Sequence, residues 1–223
     1  MRFSASAPAR WFAYLCLLAR AGNGATEWYP LGRLLMWMAV LSAVLTTQSV
    51  GDVADRLAER LSALPVLPAT DPSATLLVVD RERAERLRRQ MAELRAQLTD
   101  YTTRYVGDDS IIELDDGSFL VRPLVLSADR ADHPAVGTEL PFPFLVVAPW
   151  SDVDGMGPLS RSLVLNLLTD RDNVVDQAVR EPSVRKVTRG TVLPWTAVPG
   201  IPHDGSYTQF LLEPKGVVSA PKM

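Results

Sequence analysis

The stretch "RLLMWMAVLSAVLTTQSVGD", Arg33 to Asp52, governs how the rest of the chain is read. Leu34 to Gly51 are 18 residues without a charge. As a helix rising ~1.5 Å per residue they would extend ~27 Å, close to the ~30 Å hydrocarbon thickness of a bilayer. A helix of that length in an aqueous core carries a polar stripe. Here the polar residues are Ser42, Thr46, Thr47, Gln48 and Ser49, and four of these five sit at the C-terminal end. Trp28, Tyr29 and Trp37 lie at the other end with Arg33 just before the run, side chains that a membrane–water interface favours. The stretch predicts a transmembrane helix over 34–51, with Trp28, Tyr29, Arg33 and Trp37 at the membrane interface.

On its N-terminal side, residues 1–33 form a basic arm with four Arg against Glu27 alone. Its apolar run "WFAYLCLLA" at 11–19 would reach only ~14 Å as a helix, too short to cross. Residues 1–26 hold three Arg and no acid, a composition shared by mitochondrial and bacterial targeting segments and by interfacial helices. Positive residues stay on the matrix or cytoplasmic side, which predicts an intermembrane-space or periplasmic location for the residues beyond the span. Charge supports the division. Residues 1–107 carry 13 Arg and no Lys against 10 acids, whereas 108–223 carry 10 Lys and Arg against 16 acids. The single cysteine, Cys16, excludes an intramolecular disulfide.

On the C-terminal side, residues 52–79 predict an amphipathic helix and a connector. Val53, Leu57, Leu61 and Leu64 share one helical face, and Pro65, Pro68 and Pro72 then stiffen an extended link. Residues 80–107 predict a heptad-patterned, coiled-coil-like helix. Ala84, Leu87, Met91, Leu94, Leu98, Tyr101 and Tyr105 recur at alternating spacings of three and four, one stripe along a helix. Arg88 and Arg95 at e positions against Arg83, Gln90 and Gln97 at g disfavour a parallel homodimer. Leu87, Met91, Leu94, Leu98, Tyr101 and Tyr105 are therefore the candidate seam, facing another chain or the acidic half of this one; an ordinary amphipathic helix on the protein's own sheet gives the same spacing. Glu82, Glu85 and Glu93, interleaved among the Arg residues, argue against nucleic acid.

Residues 108–223 predict a small, acidic, Pro-rich α+β module. "SIIELDDGSFLV" is a hairpin pattern around Asp116-Gly117, "PLVL" and "FLVVAPW" read as strands, 159–181 reads as mostly helical, and 189–198 and 207–214 as late strands. Twelve of the 17 prolines fall after residue 122 and keep those loops out of sheet interiors.

Chemical motifs are weak throughout. His133 and His203 both adjoin turn residues. Ser183 and Lys186 match Ser-x-x-Lys, without its usual companion motifs. "DVDG" at 152–155 is a turn rather than a calcium loop, because Trp150 stands where the first carboxylate belongs. "LLVVD" at 76–80 lacks any G-x-x-x-x-G-K-[ST] partner, and the acids of 108–116 alternate over both hairpin faces. The pattern predicts no catalytic site, no cofactor and no metal.

The expected fold class is α+β with a membrane anchor: one transmembrane helix, a heptad-patterned helix and a small C-terminal module. In layout alone this is similar to single-span accessory subunits of respiratory-type complexes and to bacterial envelope scaffolds of the division or secretion kind. The resemblance implies a non-catalytic inner-membrane subunit, mitochondrial in the favoured form. Its partners would be other subunits and lipid, not nucleic acid or a small-molecule substrate. A bacterial envelope scaffold and a membrane-tethered Ser–Lys hydrolase are the alternatives.

Overall fold

The computed structural model describes residues 14–18 and 41–190. In chain order, Tyr14–Leu18 form β1 and Leu41–Thr46 form β2. Helix α1 is Val50–Ser62, β3 is Leu77–Val79 and helix α2 is Arg81–Arg95. Then come β4, Thr99–Asp100, and the single turn α3, Thr103–Val106. Strands β5, Ile111–Glu113, β6, Phe119–Val121, β7, Leu124–Ser127, and β8, Phe144–Pro149, come next. Strand β9, Val164–Leu168, helix α4, Asp172–Arg180, and β10, Lys186–Arg189, close the described chain.

The predicted transmembrane helix over 34–51 is overturned, and with it the anchored fold class. Residues 34–40 lie outside the described residues. The remainder is a strand, a turn at 47–49 and the start of α1. Among the described residues, no helix is long and apolar enough to cross a membrane. The reason is burial on two faces. Ala43, Val44, Leu45 and Thr46 are each at most 1% exposed. A parallel strand covered on both sides needs apolar residues at every position, so it lacks the alternation of a half-exposed strand. Helix and buried strand then demand the same composition. The polar residues Thr46 to Ser49, which resembled a membrane exit, are instead a strand end and a helix cap. Ser49 accepts a hydrogen bond from the Asp52 backbone N–H at 3.3 Å, as an N-cap does.

A seven-stranded sheet runs β10-β9-β1-β2-β8-β7-β4. All its pairings are parallel except β4 with β7 at the edge. Strand β1 sits between β2 and β9, with Cys16 in register with Val44 on one side and Asn166 on the other. The 11–19 run, too short to cross a bilayer as a helix, is long enough to supply a central strand. A second, antiparallel sheet runs β3-β6-β5, with the Asp116-Gly117 turn joining β5 and β6.

Two apolar clusters clothe the large sheet. Val53, Ala54, Leu57 and Leu61 of α1 pack on Val44, Val125, Leu145 and Val147. The opposite face, with Leu45, Leu126, Val146, Leu165 and Leu167, meets Ala84, Leu87 and Met91 of α2 and Val174 and Ala178 of α4. The 159–181 segment, expected as mostly helix, holds β9 as well as α4. Val164, Leu165 and Leu167 are as apolar as a core helix, but they pair with β1 and β10. Of the late strands, 189–198 overlaps β10 only at Arg189, and 191–223 lie outside the described residues.

Candidate functional site

The strand order reverses at the β1–β9 boundary. From β1 the chain proceeds to β2 on one side, and from β9 to β10 on the other. Helix α1 follows β2 onto one face of the sheet, and α4 follows β9 onto the other. The described connections that leave β2 and β9, the strands flanking β1, therefore part to opposite faces at the carboxyl ends, the arrangement that makes a crevice in such sheets. In open α/β sheets this is where ligands bind, because the backbone itself makes room and helix N-termini point inward.

The crevice edge is built from the turns after β2, β8 and β9. After β2, Thr46 accepts the Gln48 backbone N–H on its hydroxyl at 2.9 Å, while its carbonyl accepts the Trp150 N–H at 2.8 Å. After β8, the Asp154 carboxylate accepts both the backbone N–H (2.7 Å) and the hydroxyl (2.8 Å) of Ser151. The Trp150 indole N–H holds the Gly155 carbonyl at 3.0 Å. These bonds make 150–155 a fixed turn with Val153 exposed at its tip. After β9, the Thr169 hydroxyl accepts the Arg171 N–H at 3.1 Å, and Arg189 donates to the Thr169 carbonyl at 3.1 Å and pairs with Asp172 at 2.8 Å.

Among the described residues, a side-chain contact joins the turns after β8 and β9. Arg171 Nη2 donates to Asp152 Oδ1 at 2.8 Å and Oδ2 at 2.6 Å. Strands β1 and β2 stand between β9 and β8, so three spacings of about 4.8 Å separate the strands that lead into these two residues. The pair thus links the turn after β8 to the turn after β9, strands that have β1 and β2 between them in the sheet. The hydrogen bond to Asp152 holds the Arg171 guanidinium further above its ordinary range.

A second concavity lies between α2 and the β5 hairpin. It has a volume of about 330 Å³ and is lined by Arg88, Met91, Arg95 and residues 108–111. Its guanidiniums are engaged: Arg95 donates to Asp100 (2.6 Å) and Ser110 (2.6 Å), and Arg88 to the Ile111 carbonyl (2.9 Å). It is a cleft between ion-paired elements, away from the carboxyl ends of the large sheet.

The sequence-derived candidates fall elsewhere. Leu87 and Met91 are buried in the chain's own core, Leu94 packs on it, and Leu98 is buried beyond the end of α2. Tyr101 packs against the α1 cluster, and Tyr105, 39% exposed, donates to Asp55 at 2.8 Å. Trp28, Tyr29, Arg33, Trp37 and His203 lie outside the described residues. The Ser183 hydroxyl lies in a turn and donates to Glu181 at 2.5 Å, while Lys186 belongs to β10. His133 Nδ1 accepts the Ala135 N–H at 3.1 Å. Asp80 caps α2, accepting the Arg83 N–H at 2.7 Å. Among the described residues no cluster of His, Cys, Asp and Glu is arranged to hold a metal. Thr46, Asp152 and Arg171 were not singled out from sequence. Their one common signal, a polar residue at or just after the end of an apolar strand, needs the strands to be known first.

No protein-family model matches the sequence, and no curated protein matches it. The fold does match solved structures. Gamma-glutamyl-gamma-aminobutyraldehyde dehydrogenase from Burkholderia cenocepacia superposes with a TM-score of 0.64 at 17% identity, over 87% of this chain and 41% of that one. Lactaldehyde dehydrogenase from Escherichia coli gives 0.60 at 13%, over 84% and 40%. An NAD-dependent benzaldehyde dehydrogenase from Corynebacterium glutamicum gives 0.57 at 14%, over 81% and 39%. The chain spans about two fifths of the length of these three structures. At such identities the likeness is one of fold.

These findings correct the expected function. The non-catalytic, single-pass inner-membrane subunit rested on a span that is absent from the described residues, and the fold is shared with catalytic oxidoreductases. The likeness favours neither the envelope scaffold nor the Ser–Lys hydrolase. The expected absence of enzymatic function falls on the same ground. So does the inner-membrane location with the chain's two halves on opposite sides.

Proposed function

We propose that this chain forms the dinucleotide-binding part of an NAD-dependent oxidoreductase of the aldehyde dehydrogenase type. The nucleotide would lie in the crevice at the carboxyl ends of β9, β1 and β2. The observation that carries this reading is the reversal of strand order between β1 and β9, with α1 and α4 on opposite faces. One matched structure is named as NAD-dependent, and all three named above are dehydrogenases.

The residues at the crevice fit a nucleotide by the chemistry of their donors and acceptors. Thr47, Gln48 and Ser49 bring hydroxyls and an amide to the N-terminus of α1. Arg171 brings a guanidinium suited to phosphate, and Asp170 and Asp172 bring acceptors for ribose hydroxyls. In sequence, the connection that leaves β1 contains Gly22-Asn23-Gly24; Glu27 stands where a full G-x-G-x-x-G fingerprint has its third glycine. When bound, the cofactor would supply a hydride acceptor.

Thermal unfolding of the full chain with and without NAD+ tests the reading. A ligand that binds only the folded state stabilises it by about 2.7 kcal/mol at a hundred times its dissociation constant. The expected result is a rise in melting temperature that saturates with NAD+ or NADP+ and is absent with nicotinamide alone. No shift with either dinucleotide at millimolar concentration would overturn it.

A further inference from the structure

We infer that the Asp152–Arg171 ion pair is a strap across the mouth of the crevice, which a ligand phosphate opens by taking Arg171 away from Asp152. This inference rests on the dinucleotide reading above and adds to it a closed, self-competed state of the site.

The strap is anchored at both ends by bonds that do not depend on the pair itself. Asp152 sits in the turn fixed by Ser151, Asp154 and the Trp150 indole. Arg171 has its backbone N–H on the Thr169 hydroxyl, at the junction that starts α4. Opening therefore requires rotation of two side chains and no movement of the sheet. Both side chains meet solvent, Arg171 at 31% and Asp152 at 63% exposure. Exposed ion pairs are weak, because water screens them and two side chains lose freedom to form them. A diphosphate presents the guanidinium with a bidentate partner that carries two negative charges in all, at a helix N-terminus. The exchange is favoured for a phosphate and not for a neutral ligand.

Among the described residues, charge gives Arg171 its weight. The carboxyl-end turns and adjoining first helical turns bring Asp52, Asp152, Asp154, Asp170 and Asp172 to this edge. Arg189 is committed to Asp172 and to the Thr169 carbonyl. While Asp152 holds Arg171, the described part of this edge presents these carboxylates to an approaching phosphate. Once Arg171 turns to the ligand, Asp152 is released to water.

The test is calorimetric titration of the full chain with NAD+ and, separately, ADP, comparing wild type with Asp152→Asn, Arg171→Gln and Arg171→Lys. Removing the competing carboxylate should tighten binding about threefold to fivefold, the reverse of what loss of an ordinary contact does. Arg171→Gln should weaken binding about tenfold or more, with Arg171→Lys in between. Melting curves confirm folding; if Asp152→Asn fails to fold, Asp152→Ser tests the same competition. Wild-type binding that survives Arg171→Gln unchanged overturns the strap and leaves the dinucleotide reading intact. Weaker binding by Asp152→Asn makes Asp152 a positioning residue and overturns the competition. No binding by any form overturns the strap and the dinucleotide reading together.

Discussion

Among single residues, Thr102 carries more than its type suggests. It is fully buried, and its hydroxyl accepts the backbone N–H of Val125 at 2.7 Å, where the short edge strand gives way to α3. Thr102→Val keeps the shape and removes the acceptor. The orphaned amide should cost about 1–3 kcal/mol, read from the urea-unfolding midpoint. Asp100 beside it is a hub, taking Arg95 Nε at 2.6 Å, the Thr103 hydroxyl at 2.8 Å and the Thr102 N–H at 2.6 Å. Asp116 shows the pH consequence of such bonds at the surface. The hydroxyl and N–H of Ser118 hold its carboxyl below the ordinary aspartate value. Its contribution is therefore complete above the unfolded-state value and is lost as pH falls through the lowered folded one. The stability gap between wild type and Asp116→Asn should be constant near neutrality and shrink in acid, as urea midpoints across that range would show.

Strand β2 is the element on which the fold turns. It pairs with β1 and β8 and is covered by both apolar clusters. Leu45→Ala should destabilise the protein by about 2–5 kcal/mol, since a rigid two-sided core collapses little around the gap. A membrane-embedded helix would show no such loss in an aqueous unfolding measurement. Helix α2 shows how a correct periodicity can have two occupants. Its stripe continues past the helix end at Arg95, so Leu98 and Tyr101 fall in the turns on either side of β4 and Tyr105 in α3, although their spacing fits. On its other side, Arg81 and Arg88, one heptad apart, lie over the Phe119 ring at 4.9 and 5.5 Å. The Arg-rich face thus also fastens the small sheet.

At the scale of the molecule, the sheet depends on a strand supplied by residues far from its partners in sequence. Strand β1 joins β2 to β9, so its loss would split one sheet into two, each with a new open edge. Deleting residues 1–40 should abolish cooperative thermal unfolding, observed by circular dichroism, and expose apolar surface to a hydrophobic dye. The candidate crevice would vanish with it, because the switch in connection direction exists only where β1 and β9 adjoin.

The amino-acid sequence by itself determined what local chemistry determines. Val53, Leu57 and Leu61 share a face under any helical geometry, and Asp116-Gly117 turns a hairpin, with Gly117 at φ +79°. Only the tertiary structure decided that 41–46, 14–18 and 164–168 are strands. An uncharged run is consistent with a membrane helix, a core helix or a doubly covered strand, and what separates them is the presence of partners. Leu18 finds Leu168 across 150 residues of chain, and no local window contains both. The candidate site has the same origin. Thr46, Asp152 and Arg171 are ordinary residues in sequence, and they come to one edge because three parallel strands end there.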